Sequence, residues 1–312
     1  MQRQQPGSGA ALTALKEDTR RVYPYMKADL TETRKIQNKL LEILLYFQQF
    51  CEAHELGFVL AGGTCLGAVR HQGFIPWDDD VDVFMLREDY ERLGPLWERF
   101  ADTERYACVR SNEQYNIHHT ATEIKDSNTT FINRHSVDLD IHQGLMIDVI
   151  PLDAVADGGL ARLMQVAHGM LYCCFNFQRL PEHKGKIFYY MTKAALGLVR
   201  SPKVRYRIWR HEEKRLSRYA VAEHALVASF GEGLGIMRQR FPKEWFLHPG
   251  TALFEGHPMP VPADTDAYLR ISYGDYEKLP PAEEQIPRHD TVFMDLEHGY
   301  RQYRGIRYCV KK

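Results

Sequence analysis

The run Ile75-Pro76-Trp77-Asp78-Asp79-Asp80-Val81-Asp82-Val83-Phe84-Met85 constrains this chain more than any other stretch. Its four carboxylates within five positions repel one another strongly. A fold keeps such groups together only where a cation or strong hydrogen-bond donors compensate the charge. In an extended strand residues two apart share a face, so Asp78, Asp80 and Asp82 point one way while Asp79, Val81 and Val83 point the other. Val81 and Val83 can then be buried while Asp80 and Asp82 converge on an ion. Hard oxygen ligands suit Mg²⁺ or Mn²⁺, and Mg²⁺ is usually held by one or two carboxylates together with substrate phosphates. Phosphate chemistry is the expectation. A merely solvated acidic turn fits poorly between Trp77 and an apolar run. A calcium loop would use Asp78, Asp80, Asp82 and Asp89, but Val83 stands where that loop needs glycine.

The flanking sequence supplies a partner for such a site. Apolar residues recur at helical spacing from Leu30 to Leu56, and Gly57 ends the pattern. Phe58 to Ala61 reads as a short buried strand, and Gly62-Gly63-Thr64 opens a helix that runs to His71. Helix amides and a threonine hydroxyl at a strand end can bind phosphate oxygens. Arg87 to Phe100 reads as a helix, with strands expected at Tyr106 to Arg110, His118 to Lys125 and Leu145 to Val149. Gly144 to Pro151 is apolar except for Asp148, and a lone Asp in a buried strand is costly unless paired or liganded. Asp148 is therefore the candidate third carboxylate, with a capped strand end before Pro151 as the plainer alternative.

At 312 residues, with 44% hydrophobic and 26% charged content, the chain has the composition of an ordinary soluble globular protein. A net charge of -1 excludes a globally basic nucleic-acid binder. No C-x-x-C pair occurs among the cysteines, so neither a zinc knuckle nor a disulfide scaffold is indicated, and a reduced cytoplasmic compartment is expected. Met1 to Ala11 has no apolar core and reads as neither signal peptide nor anchor. The apolar stretches Leu163 to Phe177 and Ile187 to Val199 fall short of a membrane span.

Four parts are expected: a disordered tail over residues 1–27, a catalytic core over 28–157, a helical basic insertion over 158–235, and a part over 236–312 that completes the catalytic domain. Residues 179–218 hold twelve Lys or Arg against three Glu, a net +9 before histidines. With aromatic and aliphatic residues interleaved, this segment could lie on an anionic membrane surface, or simply be a solvated helical face. No nucleic-acid reading motif accompanies it. Near the carboxy terminus, Leu253 to Pro262 reads as a hairpin, followed by a helix and a rigid turn at Leu279-Pro280-Pro281.

Together these segments resemble the LicD family of phosphocholine transferases, to which fukutin and fukutin-related proteins are similar. The resemblance runs through Gly62 to His71, Gly73 to Asp82, Lys125 to Thr129, Ile147 to Asp153, Phe254-Glu255-Gly256, Tyr268-Leu269, Tyr273 to Tyr276 and Leu279 to Pro281. Cys65 stands where Leu is usual, and Ala282 to His289, with Arg288 and His289, departs from the family pattern. The resemblance implies an α/β (α+β) nucleotidyltransferase-like fold, a mixed sheet flanked by helices.

It also implies metal-dependent transfer of phosphocholine, or a similar substituted phosphate, from a CDP-linked donor to a hydroxyl of a glycan or lipid-linked glycan, with CMP released. Teichoic acid and lipopolysaccharide are such acceptors. Asp80, Asp82 and Asp148 would be catalytic and metal-binding, holding two Mg²⁺ or Mn²⁺ ions. Gly62, Gly63, Thr64, Arg70, Lys125 and Asp79 would face substrate or phosphate, with a surface position the alternative for Lys125 and an ion pair to Asp78 or Asp79 for Arg70. Trp77, Tyr115 and Tyr276 are candidates for a choline box, and His71, His118 and His119 for proton carriers. The expected location is cytoplasmic with peripheral membrane contact. Two alternatives stay open: a nucleotidyltransferase that releases pyrophosphate, and a non-catalytic membrane-surface adaptor.

Overall fold

Ile36, Leu40, Ile43, Leu44, Phe47 and Phe50 fall on one face of a continuous helix and are all buried, which fixes that helix against the centre of the molecule. The structure is a computed structural model and describes residues 30–180, 186–286 and 291–310. The expected tail, together with Arg288 and His289, lies outside the described residues. In chain order the first elements are α1 (Leu30–Ala53), β1 (Val59–Leu60), α2 (Gly62–His71), β2 (Asp82–Leu86), α3 (Arg87–Phe100), β3 (Tyr106–Val109), β4 (Thr122–Asp126), β5 (Thr130–Asn133) and β6 (Met146–Ala154). There follow α4 (Gly159–Phe177), α5 (Lys186–Leu198), α6 (Pro202–Leu216), β7 (Leu226–Ala228), α7 (Leu234–Met237), β8 (Phe241–Pro242) and α8 (Glu244–Leu247). The last are β9 (Gly250–Phe254), β10 (His257–Val261), α9 (Thr265–Tyr273) and β11 (Thr291–Asp295).

The main sheet has the order β1-β2-β6-β4-β3, with β7 added to the far end of β6 and β8 to β7. Only β2 and β6 pair in parallel; the remaining neighbours are antiparallel. The sheet is mixed and flanked by helices, the α+β nucleotidyltransferase-like architecture expected. β5 and β11 form a separate ribbon, and β9 and β10 a hairpin. Phe254, Met259, Val261, Tyr268 and Leu269 from the carboxy-terminal part join the main core, whereas α4 and α6 enclose a second core around Tyr172, Phe175, Trp209 and Phe230.

Three local expectations are corrected. The regular ladder of the acidic strand begins at Asp82 rather than Asp78, although burial already alternates from Asp79 through Val83. β4 begins at Thr122 rather than His118, because His118 sits at φ 57°, a left-handed conformation no strand accommodates. The chain also rejoins the sheet at β7, inside the segment expected to be wholly helical.

Two separated motifs explain each other. Glu255, at the tip of the β9–β10 hairpin, accepts hydrogen bonds from the Phe74 amide at 3.1 Å and from Arg34 of α1 at 2.9 and 2.5 Å. A Cβ on Gly73 would lie 2.4 Å from that carboxylate, and one on Gly67 would lie 2.4 Å from the Gly73 carbonyl oxygen. Gly67 is required by close backbone approach and Gly73 leaves room for the Glu255 carboxylate, at the turn that leads into Asp78 to Asp82.

Candidate active site

Register places the central carboxylates. In the parallel pair β2–β6, Asp82 lies opposite Asp148; in the antiparallel pair β6–β4, Asp148 lies opposite Glu123. Residues directly opposite on neighbouring strands project from the same face, so three carboxylates stand abreast on successive strands about 4.8 Å apart. Asp80, two residues before Asp82, acts electrostatically on both Asp82 and Asp148.

The start of α2 closes one side. Ala61 N–H donates to the Asp82 carbonyl at 2.9 Å, and Asp82 N–H donates to the Thr64 hydroxyl at 2.9 Å. Thr64 is thus buried and engaged in holding β2 against the helix. Gly62 sits at φ 49°, and a Cβ there would lie 3.3 Å from Asp82 Oδ2; a Cβ on Gly63 would lie 2.8 Å from Asp78 Oδ2. The paired glycines let two carboxylates approach the helix start directly. Gly62 N–H donates to the Tyr268 hydroxyl at 2.9 Å, which ties α9 to the same point.

A cleft of about 490 Å³ opens over these groups, with Asp78, Asp80 and Asp82 on its floor and Arg70, Trp77, Tyr273 and Tyr276 among its walls. The described hydrogen bonds of Arg70 run to the Tyr276 carbonyl and to His71 Nε2, at 2.9 and 3.0 Å, so it secures the loop after α9. Asp79 is buried beneath. Tyr115 is not among the residues lining the cleft; its hydroxyl accepts from the His142 amide.

On the other side of Asp148, His119 Nδ1 lies 3.4 Å from Glu123 Oε1 and 3.9 Å from Asp148 Oδ1. Lys125 Nζ is 2.9 Å from Glu123 Oε2, and Lys125 is only 4% exposed, so it is no surface strand residue. Burial works to raise Glu123, but Lys125 and His119 outweigh it and bring the carboxyl down to about 2. Burial alone would discharge His119, yet Asp148 and Glu123 lift its imidazole to about 9. Asp82 and Asp148 are shifted the other way. Burial, followed by Asp80, Asp148, Glu232 and Asp78, pushes Asp82 well above its ordinary value. Burial also lifts Asp148 to about 6, with Glu123 and Asp80 adding to it against His119 and Lys125. His118 turns away, its Nδ1 3.2 Å from the Phe177 carbonyl oxygen.

Residues 55–150 match the family model described as LicD/FKTN/FKRP, nucleotidyltransferase domain. Over 275 residues the chain is 28% identical to the lipopolysaccharide cholinephosphotransferase LicD of Haemophilus influenzae, covering 82% of this chain and 95% of that protein. Residues 55–150 are therefore similar to a LicD-type nucleotidyltransferase domain, and the likeness to a LicD protein extends along most of the chain. An uncharacterized protein of Rickettsia prowazekii, RP689, is 31% identical over 93 residues, covering 27% of this chain and 35% of that protein.

The donor set fits a divalent cation. Asp148 Oδ1 is buried without a hydrogen-bond partner among the described residues, beside Asp80 and Asp82, and the ligand atoms of His119, Glu123 and Asp148 lie within 4.8 Å of one another. Oxygen donors of this kind are hard ligands. Glu123 and Tyr273 are the site residues that sequence reasoning missed. Glu123 had a weak signal as a single acid two positions before Lys125 in an expected strand; Tyr273 lay in a matching block without a role.

Proposed function

We propose that this chain transfers phosphocholine, or a similarly substituted phosphate, from a CDP-linked donor to a hydroxyl of a cell-surface glycan precursor. The observation carrying this reading is the alignment of Asp82 and Asp148 on parallel neighbours beside the Gly62-Gly63 helix start. It occurs in a chain that spans nearly the whole of a lipopolysaccharide cholinephosphotransferase. In this reading residues 28–157 are the catalytic core, 158–235 an insertion, and 236–312 its completion.

Asp80, Asp82 and Asp148 would hold Mg²⁺ or Mn²⁺, two ions in the fullest case. Such an ion, when bound, neutralises the diphosphate and the departing CMP. The other duties belong to the chain. Gly62 and Gly63 allow a phosphate to approach the α2 amides, and Arg70, on the cleft wall, offsets phosphate charge. Thr64 and Asp79 shape that floor from below. Lys125 holds Glu123, and Glu123 with Asp148 orients His119. The acceptor oxygen bonds to the phosphorus of the phosphocholine group as the bridging bond to CMP breaks. The acceptor proton passes to the Asp148 carboxylate, beside which His119 stands as a charged partner. Trp77, Tyr273 and Tyr276 present aromatic faces in the same cleft, a chemistry suited to a quaternary ammonium group.

Incubation of the purified chain with CDP-choline, Mg²⁺ and a glycan acceptor should produce CMP and an acceptor heavier by one phosphocholine group. CDP-ribitol and CDP-glycerol serve as competing donors. Pyrophosphate formed from CTP would favour a nucleotidyltransferase instead, and no turnover with any of these donors would overturn the reading.

A further inference from the structure

The second core presents an outward face that a water-soluble surface does not ordinarily carry. On α4 the exposed positions Leu160, Leu163, Met164, Ala167 and Leu171 follow the spacing i, i+3, i+4, i+7, i+11, one stripe about 17 Å long without a charge. Nine of the twenty exposed large apolar side chains among the described residues lie between Leu160 and Val204, so the apolar surface is concentrated there. On α5 Tyr190, Met191 and Leu198 are exposed as well, Leu198 at 85%. Among the described residues no helix is long and apolar enough to cross a membrane.

Charge identifies the occupant. Between residues 158 and 211 there are ten Lys or Arg against the single acid Glu182. Lys193, Arg200, Lys203 and Arg207 are exposed on α5, α6 and the turn between them. Two copies packed through this face would bring like charges together, which opposes a self-association interface. An anionic lipid surface satisfies both features, apolar side chains entering the acyl boundary and cations meeting headgroups.

We propose that α4, α5 and the start of α6 dock the protein on an anionic lipid surface, with the α4 stripe as its apolar anchor. The stripe leads toward the active site: Phe177, the last residue of α4, stacks near His119 at a centroid distance of 6.3 Å, and Arg179 donates to the His118 carbonyl at 2.7 Å. A docked lipid surface therefore lies along the helix that supports the proton-accepting side. Insofar as this concerns a lipid-linked acceptor, it rests on the function proposed above.

Co-sedimentation of the full chain with vesicles uses neither donor nor acceptor and so separates the two proposals. Vesicles containing phosphatidylglycerol should retain the protein and pure phosphatidylcholine vesicles should retain it at least tenfold less. L163E/L171E should weaken binding at least tenfold with an unchanged thermal midpoint, since both side chains are exposed. K193E/K203E/R207E should abolish the preference for anionic lipid. Failure of the unmutated chain to bind, or equal binding by L163E/L171E, would overturn the proposal. A dimer in light scattering that L163E/L171E converts to a monomer would assign the face to a second copy and would also overturn it.

Discussion

Two aspartates five residues apart on β6 meet opposite fates. Asp153, buried at 1% exposure, receives Arg87 Nε at 2.6 Å and Nη2 at 2.8 Å. Around it Arg87 and Arg110 bind Glu91 and Glu213, so the acids at this end of the strand are matched by guanidinium groups. Burial works against the Arg87 charge, but Asp153 and Glu213 outweigh it and hold it above its ordinary value. At the other end Asp148 stands between Asp82 and Glu123 with one buried oxygen unpartnered. The difference separates a carboxylate that joins elements from one that, in the function proposed above, is kept ready for a ligand. Buried charge at a structural position is neutralised internally, whereas at a functional position the neutralising charge arrives with the substrate or ion.

The sharpest way to break this comparison is Asp148→Asn. Turnover should fall by about a hundredfold or more, while the thermal midpoint without divalent ion stays the same or rises because a repelling charge is removed. Loss of folding would put Asp148 in the same class as Asp153. Asp153→Asn should do the reverse, lowering unfolding free energy in urea by about 1.5–3 kcal/mol because Arg87 loses its two-point partner and keeps only Glu91 and Glu213. Turnover per folded molecule should change little.

Glu123 falls between the two classes, since it is paired with Lys125 yet faces Asp148. Glu123→Gln should reduce turnover by roughly ten- to a hundredfold through loss of His119 orientation, and should also lower stability because the buried Lys125 loses its ion-pair partner. Steady-state kinetics with saturating donor would detect this, and unchanged turnover would remove Glu123 from the site. The smallest effect belongs to Glu91. Burial raises its carboxyl, but Arg110 and Arg87 outweigh it and bring the group down to about 2. Because the folded value lies below the unfolded one, the contribution is complete above about pH 4.5 and is lost as pH falls toward 2. Urea midpoints of the unmutated chain and of Glu91→Gln should differ at pH 6 and converge as pH falls toward 2; a gap independent of pH would contradict the assignment.

Much of this was legible from local pattern. The alternation from Asp79 to Val83, the glycine pair before a helix and the lone acid in Ile147 to Ile150 each carry their meaning within a few residues. Glu123 does not, because its place depends on the register of β4 against β6, set by long-range pairing and by the turn that holds His118. Lys125 was ambiguous for the same reason: only the neighbouring strands make it a buried partner of Glu123. The basic segment 179–218 was visible as charge and Leu163 to Phe177 as an apolar stretch, but not that α4 turns an apolar stripe outward. An amphipathic helix declares a stripe and not the side on which its partner lies. Asp153 was part of a recognisable block whose pairing with Arg87 required α3 and β6 to be brought together.

The most direct test of the account is equilibrium binding of Mn²⁺ to the purified chain, followed by calorimetry or paramagnetic resonance, compared with Asp82→Asn, Asp148→Asn and folded Asp153→Asn. The account predicts that the unmutated chain and Asp153→Asn bind the ion alike and that Asp82→Asn and Asp148→Asn each weaken binding at least about tenfold. Equal binding by all four proteins, or none by the unmutated chain, would contradict it.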